Sequence, residues 1–320
     1  MKRNAQSIDS IREAGGVPDA PKAPPRVALG PLVEVDDHED PRLDPYRNLN
    51  DPAGRIRLDA DQSVFVVEGR LAVGRLLTSG YEMGSLLVDD HQVTAASELV
   101  AATRAHGAPV FVGSRSVVER TVGFALHRGV VAVGIRPPPA ISGRLLADAA
   151  GTSAPKGTAP LVAVLEGLND HENIGALFRN AAAFGVAGVL LDPTCADPLY
   201  RRSIRVSVGR ALHVPFARLM PWPAGLRQVR AAGFVVAALA PRPAATSEVP
   251  VVALGELKTR MSDSGHAVGV ALLLGAEGSG LTDAALAASD VVVSIPMADG
   301  VDSLNVATAA AVAFHALAAT

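Results

Sequence analysis

The sequence predicts an α/β protein of two domains, the second and larger built on a parallel sheet. Three observations predict it. From Leu161 onward, short apolar runs (LVAVLEG, AGVLL, FVVAALA, AVGVALLLG, DVVVSIP) recur with helical segments between them. Strands covered on both faces by crossover helices read as such unbroken apolar runs. A separate strand–helix alternation fills residues 51–145, and a small-residue stretch, ADAAGTSAPKGTAP, divides the two.

Taken in order, residues 1–50 mix proline with acidic residues, as in VPDAPKAPPR and VDDHEDPRLDP, and predict a flexible tail or extended arm. In the first domain SVFVVEG, SLLVDD, PVFVG and GVVAVGIR read as strands. GRLAVGRLLTSG, TAASELVAATRAHG and the stretch near SRSVVERTVG read as helices. Pro137, Pro138 and Pro139 stop the alternation, because proline neither donates to a ladder nor continues a helix. Residues 146–158 predict a linker, and residues 159–320 the second domain. A three-layer domain of that kind places its ligand crevice at the carboxyl ends of its strands.

Composition narrows the class. Apolar residues make up 49% of the 320 positions, enough for a sizeable core, yet no run is long enough to predict a membrane helix. MKRNAQSIDSIREAGG lacks the apolar centre of a signal peptide, so the cytoplasm is expected. The single cysteine, Cys195, excludes an internal disulfide and a zinc cluster, and no metal is expected. A net charge of −3 argues against a uniformly basic nucleic-acid binder. Blocks differ from the average: Pro198 to Ser247 holds eight Arg and no acid, and Leu99 to Ala147 six Arg and one Glu. Such blocks are either ordinary exposed arginines or positive surfaces for a polyanion.

Chemistry-bearing residues gather in three clusters at expected strand ends. The first, LEGLNDHENIGALFRNAAAFGV, carries Asn173 and Arg179. Helix capping accounts for Asn169 and Asp170 but not for Arg179, which sits among Ala176, Leu177, Phe178, Ala181 and Ala182 and predicts an anionic partner. The second, LLLGAEGSGLT, runs from Leu274 into Gly275, Glu277, Gly278 and Gly280, a glycine density that lets backbone approach a ligand. It is neither a dinucleotide fingerprint nor a P-loop. In the third, VSIPMADGVDSLNVATAAAVAF, Pro296 ends a strand and Asp302 or Ser303 is the expected cap of a final helix. Leu304, Ala307, Ala311, Phe314 and Ala318 give that helix one apolar face.

Together, NDHENIGALFRNAAAFGV, LLLGAEGSGLT and SIPMADGVDSLNVATAAAVAF resemble, in order and spacing, the three motifs of the SpoU/TrmH family of RNA ribose 2'-O-methyltransferases, in the SPOUT superfamily. The resemblance covers roughly the last half of the chain. The α/β unit before it is similar, through EGRLAVGRLL and HRGVVAVGIRP, to the L30e-like RNA-binding domain often fused to such enzymes. The resemblance implies a trefoil-knot methyltransferase domain, a homodimer with its active site near the subunit interface, S-adenosylmethionine as cofactor, and an RNA substrate, rRNA before tRNA. It places Leu274, Gly275, Gly278, Ile295, Pro296, Met297 and Leu304 at the cofactor, and Arg179, Asn173, Glu277, Ser303 and Asn305 in the catalytic set. Arg201, Arg202, Arg205 and Arg210 would then hold substrate backbone.

The chemistry is consistent with that assignment. A sulfonium methyl is already electrophilic, so the task is to align a ribose hydroxyl and remove its proton. The family's arginine is also proposed as the proton acceptor; an electrostatic role for Arg179, on phosphate and developing oxyanion, needs no unusual pKa. Asp299 and Asp302 depart from the family's mostly uncharged loop and would repel phosphate unless they face a partner subunit or cap the helix. Two rival readings remain: a non-catalytic RNA-binding or ribosome-assembly factor that keeps the pocket, and a small-molecule α/β enzyme. The intact polar set argues against the first, and the lack of a Ser-His-Asp elbow or metal cluster against the second.

Overall fold

The computed structural model describes residues 29–50, 63–126, 129–151, 159–241, 249–257, 259, 267–301 and 303–318. The first domain comprises β1 (Leu32–Val35), β2 (Val64–Glu68), α1 (Arg70–Leu77), β3 (Glu82–Asp89), α2 (Ser97–Ala105), β4 (Val110–Gly113), α3 (Arg115–Val122) and β5 (Val130–Ile135). Its sheet has the order β1-β4-β3-β5-β2. The first three strands run parallel, and β5 is antiparallel to both β3 and β2.

Residues 29–50 of the arm expected over residues 1–50 are ordered against the first domain. Leu32–Val35 is an edge strand in register with β4, and Pro41–Tyr46 is a 3-10 helix whose Leu43 and Tyr46 are fully buried. Local side-chain bonds and burial outweigh the acidic, proline-rich composition: Asp40 accepts from Arg42 N at 2.9 Å, and the Tyr46 hydroxyl meets Ser85 Oγ at 2.6 Å. Residues 1–28 and 51–62 of the expected tail and first domain lie outside the described residues.

The second domain comprises α4 (Ser142–Gly151), β6 (Leu161–Glu166), α5 (His171–Ala183), β7 (Gly188–Leu191), α6 (Arg201–Val206), β8 (Phe216–Arg218), α7 (Leu226–Ala231), β9 (Phe234–Leu239), β10 (Val251–Ala253), β11 (Gly269–Gly275), α8 (Asp283–Ala287), β12 (Val291–Ser294) and α9 (Val306–Ala318). Its strands pair in the order β10-β12-β9-β11-β6-β7-β8, and every pairing is parallel. Successive residues of a strand point to opposite faces. Leu161, Ala163 and Leu165 accordingly join the core under α5 and α9, while Val162 and Val164 join the core under α4, α7 and α8. The expected three layers are present.

The linker expected over 146–158 begins as helix. Leu145, Leu146 and Ala149 form a buried stripe of α4 against the second sheet, and alanine-rich sequence favours helix once a stripe has something to pack on. Residues 152–158 lie outside the described residues. The two domains share apolar core: Phe65, Ala72 and Leu76 pack with Leu199, Ile204 and Leu212. Among the described residues no helix is long and apolar enough to cross a membrane.

Candidate active site

Strands β6, β9, β11 and β12 end at one edge of the sheet. From β11 the chain turns back on itself: Gly280 N donates to Ala276 O at 3.0 Å, and Gly278 and Gly280 have φ of +86° and +68°. A Cβ on Gly275 would lie 2.4 Å from the carbonyl carbon of Gly280, so only glycine fits there. The close approach predicted for this loop is thus to its own backbone. Thr282 then caps α8, accepting from Ala285 N at 3.2 Å.

Glu166, at the end of β6, fixes that loop from below. It is 5% exposed and accepts from Thr282 N (2.9 Å), Thr282 Oγ1 (2.7 Å) and Trp222 Nε1 (2.6 Å). An acidic residue closing an otherwise apolar strand was its one signal in the sequence.

Asn305 joins the three clusters. Its Oδ1 accepts from Ala307 N (3.0 Å) and Thr308 N (3.2 Å), which makes it the N-cap of α9 in place of the expected Ser303 or Asp302. Asp302 itself lies outside the described residues, and Asp299 is exposed. With Oδ1 occupied by two donors, the amide orientation is determined and Nδ2 must donate. It donates to Asn173 Oδ1 at 2.9 Å and to Glu277 Oε1. Asn173 lies in the first turn of α5, which Asp170 caps by accepting from Glu172 N (2.6 Å) and Asn173 N (2.9 Å). Asn180 Nδ2 donates to Ala307 O at 2.8 Å and locks α5 against α9. The buried face of α9 is Val306, Ala307, Ala310, Ala313, Phe314 and Leu317, displaced from the predicted set because the helix starts after Leu304.

Beside this junction lies a cavity of about 400 Å³, within the range of small-molecule sites. Its lining includes Leu274, Gly275, Gly278, Ile295, Met297 and Leu304 of the expected cofactor set, and Glu277, Ser303 and Asn305 of the catalytic set. Pro296 is exposed and does not line it. Sequence reasoning missed Leu239, Ala240 and Pro241, which enter from the end of β9. The structure does not bring Arg179 to the cavity. It lies six residues beyond Asn173, about 9 Å along α5 and about 120° around it. It is exposed, not enclosed by apolar neighbours, and among the described residues it has no acidic partner.

The arginine block is not a uniform positive surface. Arg201 Nη1 pairs with Glu68 Oε2 at 3.2 Å, its Nη2 donates to Leu49 O at 3.3 Å, and its guanidinium lies 5.0 Å over the Phe124 ring. Burial lowers its pKa while Glu68 opposes the shift. Arg201 therefore joins the domains through contacts made within the chain. Arg205 approaches the same Glu68 at 3.7 Å, and Arg202 pairs with Glu172 at 2.5 Å, which raises its pKa. Arg210 is exposed and has no acidic partner among the described residues.

A seven-stranded parallel α/β domain with a small-molecule cavity at its strand ends, joined to a smaller mixed-sheet domain, defines a class: two-domain α/β proteins that bind a ligand where loops after several strands converge. The chain belongs to the SpoU rRNA Methylase family, whose profile matches residues 160–315. A Mycobacterium bovis protein named an uncharacterized tRNA/rRNA methyltransferase is 42% identical over 284 residues, 89% of this chain and 91% of its own length. The 23S rRNA (guanosine-2'-O-)-methyltransferase RlmB of Vibrio vulnificus is 28% identical over 199 residues, 62% of this chain and 73% of its own. The AdoMet-bound rRNA methyltransferase of Sinorhizobium meliloti shares the fold, with a TM-score of 0.68 and 24% identity over 89% of this chain and 97% of that one.

Proposed function

We propose that this protein transfers a methyl group from S-adenosylmethionine to a ribose 2'-hydroxyl of RNA, with rRNA the expected substrate. The observation that carries the reading is the Asn173–Asn305–Glu277 junction, which draws all three family motifs to the rim of one cavity. The cavity's residues fit the cofactor: Leu274, Ile295 and Leu304 offer apolar surface to a purine, and the loop around Gly275 and Gly278 offers main-chain donors and acceptors. Bound there, S-adenosylmethionine supplies an activated methyl group. The chain's own part is to orient the ribose hydroxyl and stabilise charge as its proton leaves. In that scheme Arg179, exposed and without an acidic partner among the described residues, holds the phosphate beside the reacting ribose.

Arg179 stands away from the cavity of its own chain, which supports a homodimer whose active site combines the cavity of one subunit with Arg179 of the other. The first domain acts as the RNA-binding unit in the same reading, and the segment after β12 is the knotted one. Tritiated S-adenosylmethionine incubated with unmodified rRNA, followed by nucleoside analysis, tests the reaction. Label at 2'-O-methylnucleosides, lost in Arg179→Ala, supports it. Cofactor binding without transfer to any RNA would favour the assembly-factor alternative instead. Retention of full turnover by Arg179→Lys would show that charge rather than a guanidinium fork is what matters.

A further inference from the structure

The arginines of this chain divide into paired and unpaired. Arg201, Arg202 and Arg205 each meet a carboxylate. Arg75, Arg179 and Arg210 do not, among the described residues, and they lie on three elements that meet, because the turn carrying Arg210 touches both of the helices that carry Arg75 and Arg179. Arg75 is on α1 of the first domain, Arg179 on α5, and Arg210 opens the 3-10 turn Arg210–Leu212.

Packing fixes Arg75 and the elements that carry the other two. Arg75 Nη1 donates to the carbonyl of Val208, two residues before Arg210. A Cβ on Gly209 would lie 3.0 Å from Ala72 Cα and 3.3 Å from Arg75 Cδ, so the turn is pressed against α1. Val208 has φ +54° and Gly209 φ +79°. A β-branched residue in that region is strained, and such strain persists only where surrounding structure imposes it. On the same joint Thr78 Oγ1 meets His213 Nε2 at 3.3 Å. Ala211 of the turn shares a core with Phe178, Arg179's neighbour on α5. The Arg75 guanidinium has its pKa lowered by burial first, and then by the positive charges of Arg210 and Arg179. Three like charges held at one joint without a carboxylate favour an anion between them.

We propose that Arg75, Arg210 and Arg179 form a composite phosphate site across the domain junction, which holds a phosphodiester of the RNA substrate. This rests on the RNA-directed reading above and adds a residue of the first domain to it. The site ties the domain that selects RNA to the helix carrying Arg179, so substrate phosphate and domain orientation are fixed together. Arg75 is a binding and positioning residue here.

The test measures affinity of the full chain for an unmodified large-subunit rRNA transcript across a salt series. Arg75→Gln, Arg75→Lys, Arg210→Gln and, as a charge-matched control, Arg227→Gln on the exposed face of α7 are compared. Each lost phosphate contact should weaken binding roughly tenfold at low salt and lower the slope of log K against log salt by about 0.7. Arg75→Lys should keep the slope, and S-adenosylmethionine affinity should not change in any variant. Arg75→Gln and Arg210→Gln binding like Arg227→Gln would overturn the site, whether or not methyl transfer occurs. A reduced slope without methyl transfer would support the site and count against the catalytic reading. A folded wild-type chain that binds no RNA would overturn both.

Discussion

Asn305 Nδ2 donates to Asn173 Oδ1 at 2.9 Å, joining the start of the last helix to the first turn of α5. The same side chain caps α9, so one residue sets both a helix end and the cavity rim. Asn305→Ala removes the cap and the bridge together. The expected cost is about 1–2 kcal/mol of stability, with methyl transfer reduced well beyond what that loss explains. Asn305→Asp separates the two roles. It keeps a capping oxygen but sets a carboxylate against Glu277. Thermal unfolding near wild type with activity lost is the expected pair of results; wild-type activity would remove the bridge from the mechanism.

Arg201 joins the two domains. Its side chain is 14% exposed, Glu68 is 20% exposed, and they come from different domains. Breaking a largely buried charged bond by removing one partner costs about 1–3 kcal/mol. Arg201→Ala and Glu68→Ala should each lower stability by that order and speed proteolysis between the domains. Arg202→Ala, at an exposed pair, should do neither. Equal melting temperatures for the Arg201 and Arg202 variants would refute the distinction.

The contrast shows what one sequence can and cannot display. Parallel strands and the polar clusters were legible because burial on both faces leaves unbroken apolar runs, and polar residues can then collect only at strand ends. The edge strands β8 and β10 have three residues each, too few to show a period. Arg201 and Glu68 lie 133 residues apart, and nothing local marks either as the other's partner. The run LVEV near the N-terminus was hidden by acidic and proline-rich neighbours, although it pairs with β4 in full register. Asn305 was recognised as a site residue but not as the cap, because Ser303 and Asp302 compete for that role by residue type alone.

Cys195 offers a pH-dependent probe of opening. Burial first, and the neighbouring Asp192 carboxylate second, push its thiol up to about 12. Its Sγ donates to Leu165 O at 3.4 Å. The folded pKa is raised above that of an exposed thiol, about 8.5. The contribution to stability is therefore complete below about pH 8.5 and is lost as pH rises toward the folded value. Alkylation by iodoacetamide at pH 8 should proceed only through unfolding, and speed up on adding denaturant. Stoichiometric labelling of the native protein within minutes would contradict the burial.

The separation of Arg179 from the cavity makes a subunit-exchange prediction. In one chain Arg179 lies about 9 Å further along α5 than Asn173, on another face, while Glu277 lines the cavity. If a site combines Arg179 of one subunit with Glu277 of the other, Arg179→Ala and Glu277→Ala homodimers are both inactive. A mixed dimer has one site carrying both substitutions and one carrying neither. Random co-assembly makes half the dimers mixed, so co-expression should recover about a quarter of wild-type methyl transfer. Mixing the separately purified variants without exchange should recover none. Sites built within single chains give no recovery in either case, because every site then carries one substitution. Recovery on co-expression, with tags on the two variants confirming the mixed species, would establish the shared site; its absence in confirmed mixed dimers would confine Arg179 and the cavity to separate roles.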